Sequence, residues 1–206
     1  LVESDETHAI ISNHLATSVA ALVLWCQLGP DHKAEKKARE LLKRILLNQS
    51  SEGWFNEYGG ADPGYQSLCI YYLSFVHAAK PEWGLEEPLR RSSQFLSYCA
   101  HPDGSFGGYY GSRYTRFYYP SGLLSLSHED QIANSLSMFM AKSIDQGRVV
   151  NLSSIDEPNF VPMFNSYCHA ATLSNSSHKK SIVSNIPINS NKSFSKIFFD
   201  SGLYFE

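Results

Sequence analysis

Two adjacent residues near the start of the chain, Asn13 and His14, can take part in acid–base chemistry. A histidine accepts a proton near neutral pH. An asparagine amide can donate hydrogen bonds to negative charge as it develops on a substrate. The pair lies where an apolar helix is predicted to begin. The alternative, structural interpretation is therefore a helix cap for Asn13 and a hydrogen-bonded surface residue for His14.

A second segment with chemical potential, 107–122 (GGYYGSRYTRFYYPSG), combines tyrosines, arginines and glycines. Arg113 and Arg116 can each bind a carboxylate or sulfate through parallel hydrogen bonds. Tyrosines such as Tyr114 and Tyr118 can stack on sugar rings and hydrogen-bond with hydroxyl groups. The segment predicts a ligand-binding loop, and packing against another domain is the alternative.

Two acidic residues, one before and one within the motif "YGGADPGYQ", support a competing mechanism. Glu57 and Asp62 are candidates for an acid/base pair, since inverting glycosidases use two carboxylates about 6.5–9.5 Å apart. Tyr58 and Tyr65 stand beside them, and all four side chains are predicted to contact a substrate. In a second acidic segment, 128–131 (HEDQ), capping of the following helix is the favoured interpretation.

Six helices are predicted, and their character alternates along the chain. They are, in order, 12–28, 33–48, 65–79, 86–100, 129–145 and 160–173. The first, third and fifth are apolar on nearly all sides, which is typical of buried helices, whereas the second and fourth are amphipathic and typical of a surface. This alternation predicts a mostly α fold, a partial α/α toroid with inner helices 1, 3 and 5 and outer helices 2 and 4.

Similar turns end the second and fourth helices, "NQSSEGWF" and "AHPDGSFGG". Gly53 and Gly104 lie about fifty residues apart, which fits one helical hairpin per repeat. Glycine after a helix supplies a left-handed cap, and Trp54 and Phe106 are predicted to pack over the helix ends. The spacing of Gln49, Gly53 and Trp54 resembles the QW repeat of the terpenoid cyclase and prenyltransferase toroids.

The Asn13–His14 pair and the tail "FFDSGLYF" also resemble heparinase II/III-like and alginate-lyase-like polysaccharide lyases. That resemblance implies a toroid followed by a β-sheet domain. It also implies that an Asn or Arg neutralises a uronate carboxylate, that a His or Tyr removes the C5 proton, and that a Tyr protonates the leaving oxygen. Asn13, His14 and Tyr114 are the corresponding catalytic candidates. Neither the D-x-D-D motif of cyclases nor a prenyltransferase zinc pattern accompanies the QW-like turn.

Composition divides the chain near residue 175. Region 1–175 is predicted to be the toroid part, with too few hairpins to close a ring, which indicates a fragment. Region 176–206 is predicted to be a linker rich in Ser, Asn and Lys, followed by the first strands of a β domain.

Charge and hydropathy exclude several classes of protein. The formal net charge is −3, so nucleic acid is not an expected partner, and the strongest apolar run is too short to span a bilayer. The cysteines Cys26, Cys69, Cys99 and Cys168 lack metal-site spacing and are predicted to be core residues. Free thiols and no visible signal peptide favour the cytoplasm, or the periplasm if residues are missing before Leu1.

The sequence therefore predicts a carbohydrate-active toroid protein that cleaves an acidic polysaccharide by β-elimination, with no metal and no cofactor. Two alternatives stay open. One is a toroid glycoside hydrolase with paired carboxylates, and the other is a non-catalytic glycan-binding protein in polysaccharide production. A polysaccharide or oligosaccharide is the expected partner in all three.

Overall fold

The computed structural model describes residues 1–4, 11–176, 186–189 and 193–206, so most of the predicted linker lies outside the described residues. The helices are α1 Ser12–Leu28, α2 His32–Leu47, α3 Pro63–Ala79, α4 Glu86–Leu96, α5 Pro120–Leu126, α6 Gln131–Asp145 and α7 Glu157–Ser176. Strands β1 Lys196–Phe198 and β2 Leu203–Phe205 form an antiparallel pair. The described chain is thus mostly helical with one small β-hairpin, as predicted. None of its described helices combines the length and apolar content that crossing a membrane requires.

Aspartates set the starts of three helices. Asp31, Asp62 and Asp130 precede α2, α3 and α6, and each side chain accepts a hydrogen bond from a backbone N–H of the first turn. This satisfies donors that have no partner within the helix. Pro63 occupies the first position of α3, where its missing N–H costs nothing. The capping interpretation of the 128–131 segment is therefore confirmed for Asp130.

Helices α1, α3, α5 and α7 form a row in which each contacts the next. Each of the other three helices packs on a row helix, α2 on α1, α4 on α3 and α6 on α5, and we call these three the second layer. The prediction that helix 129–145 is an inner helix was wrong, because this segment forms α6, which packs on α4 and α5. The short helix α5 instead follows α3 in the row. It can do so because Gly122 allows close approach, since a Cβ there would lie 2.7 Å from the backbone nitrogen of Tyr71.

The composition of α1 predicted a helix buried on all sides, but one side of it is exposed. Leu15, Val19 and Val23 lie in the core, but Trp25 and Leu28 are exposed. The apolar content of α1 therefore overstated its burial.

The two predicted turns are geometrically equivalent. Gly53 and Gly104 both have left-handed backbone conformations, with φ of 98° and 90°. Antiparallel bridges of the same span close both turns and end at Phe55 and Phe106. Phe55, rather than Trp54, is therefore the counterpart of Phe106. Both phenylalanines are fully buried, and Trp54 is nearly so.

The β-hairpin packs directly on the helical part. The ring of Phe198 lies 5.1 Å from Phe95 and 5.3 Å from Tyr98, near the end of α4. In the hairpin turn, Asp200 accepts a hydrogen bond of 2.6 Å from Ser50 Oγ in the first repeated turn. The strand–turn–strand prediction for the tail is thus confirmed, and the hairpin covers the first repeated turn.

The cysteines differ in environment. Cys69 and Cys99 are buried, Cys26 is partly buried and Cys168 is exposed. Core placement was therefore a wrong prediction for Cys168. It lies on an open side of α7, where Phe164 is exposed as well.

Candidate functional site

The first turns of the row helices meet at one end of the molecule. The loop 56–62 contacts the start of α1 and leads into α3. The loop 107–119 crosses the start of α3 and leads into α5. Tyr119, before α5, donates a hydrogen bond of 3.1 Å to Asn159 in the first turn of α7. We call these two loops, together with the first turns of α1, α3 and α7, the rim.

Glu57 joins three parts of the rim. Its side chain is fully buried, and its two oxygens accept hydrogen bonds of 2.7 Å from the backbone N–H and from Nδ2 of Asn13. Its own backbone pairs with Gly60 across a tight turn, and its carbonyl accepts from Ser112 Oγ. One residue therefore ties the start of α1 to both loops.

Burial also changes the chemistry of Glu57. Removal from water raises its pKa to about 8; the hydrogen bonds from Asn13 oppose this rise and the charge of Asp62 adds to it. Neither Glu57 nor Asn13 can reach a ligand from this position, because Asn13 is also buried and its amide is engaged. Burial therefore contradicts the predicted substrate contact of Glu57 and the predicted catalytic contact of Asn13, and the two side chains instead hold the start of α1 against the first loop.

Asp62 holds the second loop against α3. One carboxylate oxygen accepts from the backbone N–H groups of Arg113, at 3.0 Å, and Thr115, at 3.3 Å. The other accepts from Tyr65 N–H and from Thr115 Oγ1. Asp62 is fully buried, so its predicted contact with substrate is corrected as well. A hydrolytic pair made of Glu57 and Asp62 has no access to a sugar.

Arg113 presents its charge on an aromatic surface. Its guanidinium carbon lies 4.5 Å from the ring centre of Tyr58, which is within the range of a cation–π contact. Tyr58 lies 6.0 Å from Tyr65, and Tyr65 packs edge-on against Phe117 at 5.3 Å. Arg113 and Tyr58 are exposed and Tyr65 is half-buried. These three predicted binding residues are thus brought together on the surface.

The environment of Tyr65 keeps its hydroxyl protonated. Its pKa lies above the usual value, mainly because of burial, with nearby Tyr58 adding to the rise. The hydrogen bond with Asn159 and the charge of Arg113 act in the opposite direction. Tyr65 therefore carries its hydroxyl proton at neutral pH.

A second arginine–tyrosine stack lies on the same loop. The guanidinium carbon of Arg116 is 4.9 Å from the ring centre of Tyr109, and Tyr109 is 82% exposed. Tyr114, between the two arginines, is 61% exposed. Tyr118 is instead fully buried against Phe106, so its predicted ligand contact is corrected. Its neighbours in the chain, Phe117 and Tyr119, are also buried, which makes this part of the segment core.

Backbone strain is concentrated in the rim. Among the described residues, Tyr58 and Tyr114 are the non-glycine residues with left-handed backbone, with φ of 56° and 57°. This conformation costs on the order of 1–2 kcal/mol for a residue with a side chain. The two tyrosines are 39% and 61% exposed, so core packing does not explain the cost.

His14 is exposed on the first turn of α1. It follows Asn13 directly, so the bonds that fix Asn13 to Glu57 also fix the backbone that carries His14. His14 therefore lies at the rim, and its role as a base stays a prediction.

Three polar residues of the rim were not predicted from the sequence. Asn159 donates to both carboxylate oxygens of Asp156, at 3.1 and 2.9 Å, while it accepts from Tyr119. Thr115 bridges Asp62 and the start of α3, where its Oγ1 accepts from Gly64 N–H at 2.9 Å. The sequence "DEPN" at 156–159, where α7 begins, has the pattern of a helix start, which was the available signal for Asp156 and Asn159.

Comparison of the chain with protein-family models, with curated proteins and with solved structures found no match. Within the described ranges, no group of three or more His, Cys, Asp or Glu side chains is arranged to hold a metal ion.

Proposed function

We propose that this chain is part of a carbohydrate-active α/α toroid that binds an acidic polysaccharide at the rim and cleaves it by β-elimination. The observation that carries the proposal is the exposed guanidinium of Arg113, stacked on Tyr58 beside Tyr65. A carboxylate can bind the guanidinium edge while a sugar ring lies against the tyrosines.

The two-layer packing supports the toroid part of the proposal. Row helices alternate with helices of the second layer, and equivalent turns join the layers. In a toroid, the starts of the row helices surround one mouth of the central cavity. The rim residues gather at the starts of the row helices, which is where such a mouth would lie.

Each step of an elimination has a candidate side chain in the rim. Arg113 would neutralise the uronate carboxylate and so favour loss of the neighbouring C5 proton. His14 would accept that proton. Tyr114 would donate its hydroxyl proton to the glycosidic oxygen as the bond to the leaving sugar breaks and a C4–C5 double bond forms. Arg113 takes the charge-neutralising role first assigned to Asn13, since Asn13 is buried.

The test is incubation of the protein with alginate and with polygalacturonate. We expect ultraviolet absorbance from the unsaturated sugar, and loss of this signal in His14→Ala. His32→Ala is the matched control, because His32 is an exposed histidine at the start of a helix of the second layer. It should leave the rate unchanged.

Three other results would contradict the elimination. New reducing ends without absorbance would indicate hydrolysis. Binding that depends on Arg113, with no product, would indicate a non-catalytic glycan-binding protein. An Arg113→Ala variant that binds these polymers as well as the unmodified protein would refute the proposed site itself.

A further inference from the structure

We propose that Arg116 and Tyr109 form a second carboxylate subsite next to Arg113, so that the ligand is a polyuronate chain bound through carboxylates on two of its sugar units. This inference rests on the proposed function and specifies its substrate: a glycan with repeated carboxylates rather than one with a single acidic unit.

A comparison of the salt bridges made by the arginines supports the inference. Elsewhere in the described chain, Arg39 forms a salt bridge with Glu35 at 3.2 Å, and Arg90 forms one with Glu87 at 2.7 Å. Within the described residues, neither Arg113 nor Arg116 forms a salt bridge with a carboxylate. Their guanidinium groups are therefore available to anions from outside the chain.

The two stacks have the same form. In each, the guanidinium lies over a tyrosine ring, at 4.5 Å for Arg113 on Tyr58 and 4.9 Å for Arg116 on Tyr109. A guanidinium that lies over a ring can still donate two parallel N–H bonds from its edge to a carboxylate. The tyrosine also limits the motion of the side chain, which lowers the entropy cost of binding.

The spacing of the two arginines is fixed by the loop. They are three residues apart, so their Cα atoms lie within about 11 Å of each other. Thr115, between them, is anchored to Asp62 and to the start of α3. Gly107 lets the loop fold back on itself, since a Cβ there would collide with the carbonyl oxygen of Thr115. The loop therefore presents two anion-binding groups at a set separation, as a repeating polymer requires.

The test is titration of the protein with galacturonic acid and with galacturonate oligomers of two to six units, followed by NMR. We expect affinity to rise at the length that allows a second carboxylate to bind. In Arg116→Ala the affinity for these longer oligomers should be roughly tenfold weaker, in line with one lost charged hydrogen-bonding partner. The affinity for the monomer should stay unchanged. Arg39→Ala is the matched control, because Arg39 also stacks on an aromatic ring, Trp83, at 4.4 Å, and already has its own carboxylate.

The possible failures are distinguishable. If Arg116→Ala weakens monomer and oligomers equally, or weakens neither, while Arg113→Ala abolishes binding, the second subsite is refuted and the proposed function stands. If no uronate binds, or if Arg113→Ala has no effect, both are refuted. Arg116 is exposed, and circular dichroism of the variant will verify that it folds.

Discussion

Replacing Glu57 by glutamine should change how the stability of the protein depends on pH. In the folded protein the pKa of Glu57 is raised from 4.5 to about 8. A carboxyl group with a raised pKa holds its proton in the folded state after the unfolded state has released it. Its stabilising contribution is therefore complete below pH 4.5, and it is lost as the pH rises from 4.5 to 8.

The magnitude follows from the size of the pKa shift. Between these two pKa values the folded state binds one more proton than the unfolded state, so stability falls by about 1.4 kcal/mol per pH unit. From pH 5 to pH 8 the loss due to Glu57 is about 4 kcal/mol. Glutamine keeps the shape of the neutral acid and does not titrate. The Asn13 amide can turn so that its oxygen accepts from the new NH₂ group.

The assay is urea unfolding of both proteins at each pH unit from 5 to 8. We expect the variant to be close to the unmodified protein at pH 5 and more stable by about 4 kcal/mol at pH 8. With a urea slope of about 2 kcal/mol per molar, this is a midpoint difference of about 2 M. Other ionisable groups are common to both proteins and largely cancel in the difference. Glu40→Gln, on the exposed side of α2, is the control and should show no such trend.

A stability difference between Glu57→Gln and the unmodified protein that stays constant from pH 5 to pH 8 would refute the reasoning. It would mean that Glu57 is ionised in the folded state at neutral pH, with the two bonds from Asn13 outweighing the cost of burial. The same data would then identify Asn13–Glu57 as a charged hydrogen-bonded pair.

Two further substitutions separate an aromatic residue of the core from one of the proposed binding site. Trp54→Ala should lower the free energy of unfolding by roughly 3–5 kcal/mol, because Trp54 is nearly buried and donates to Glu52 at 3.0 Å; an unchanged thermal melt would contradict this packing role. Tyr58→Gly should leave stability unchanged or raise it by up to about 1 kcal/mol, since glycine relieves the left-handed strain, yet it should weaken polyuronate binding. Full binding by the glycine variant would exclude Tyr58 from the site.

Much of the helical part of the fold could be predicted because it depends on local patterns. The positions of α1 to α4 follow from apolar periodicity and from caps such as Asp31, and the repeated turns follow from Gly53 and Gly104. Helix α5 could not be predicted in this way. It is short, and its place depends on Gly122 meeting the backbone of α3, a contact between segments far apart in the chain.

The sequence predicted which residues lie near the candidate site better than it predicted what each of them does. Exposed Arg113, Tyr114 and His14 lie on the rim, where the sequence placed them. The acidic residues Glu57 and Asp62 were given chemical roles because inverting glycosidases use a pair of carboxylates. Sequence could not reveal that backbone N–H groups and an amide from other segments surround both side chains.

The burial of those two acids has a physical reason that bears on the proposed function. Loops rich in glycine and tyrosine have few apolar side chains to hold them, and the N–H groups at helix starts need acceptors. Glu57 meets this need between α1 and the first loop, and Asp62 meets it between α3 and the second. Both acids lie beneath the surface that carries Tyr58, Arg113 and Tyr114. A protonated Glu57 is compatible with an anionic ligand at that surface. An ionised Glu57 would place a second buried negative charge beside Asp62, and this charge would oppose binding of the ligand.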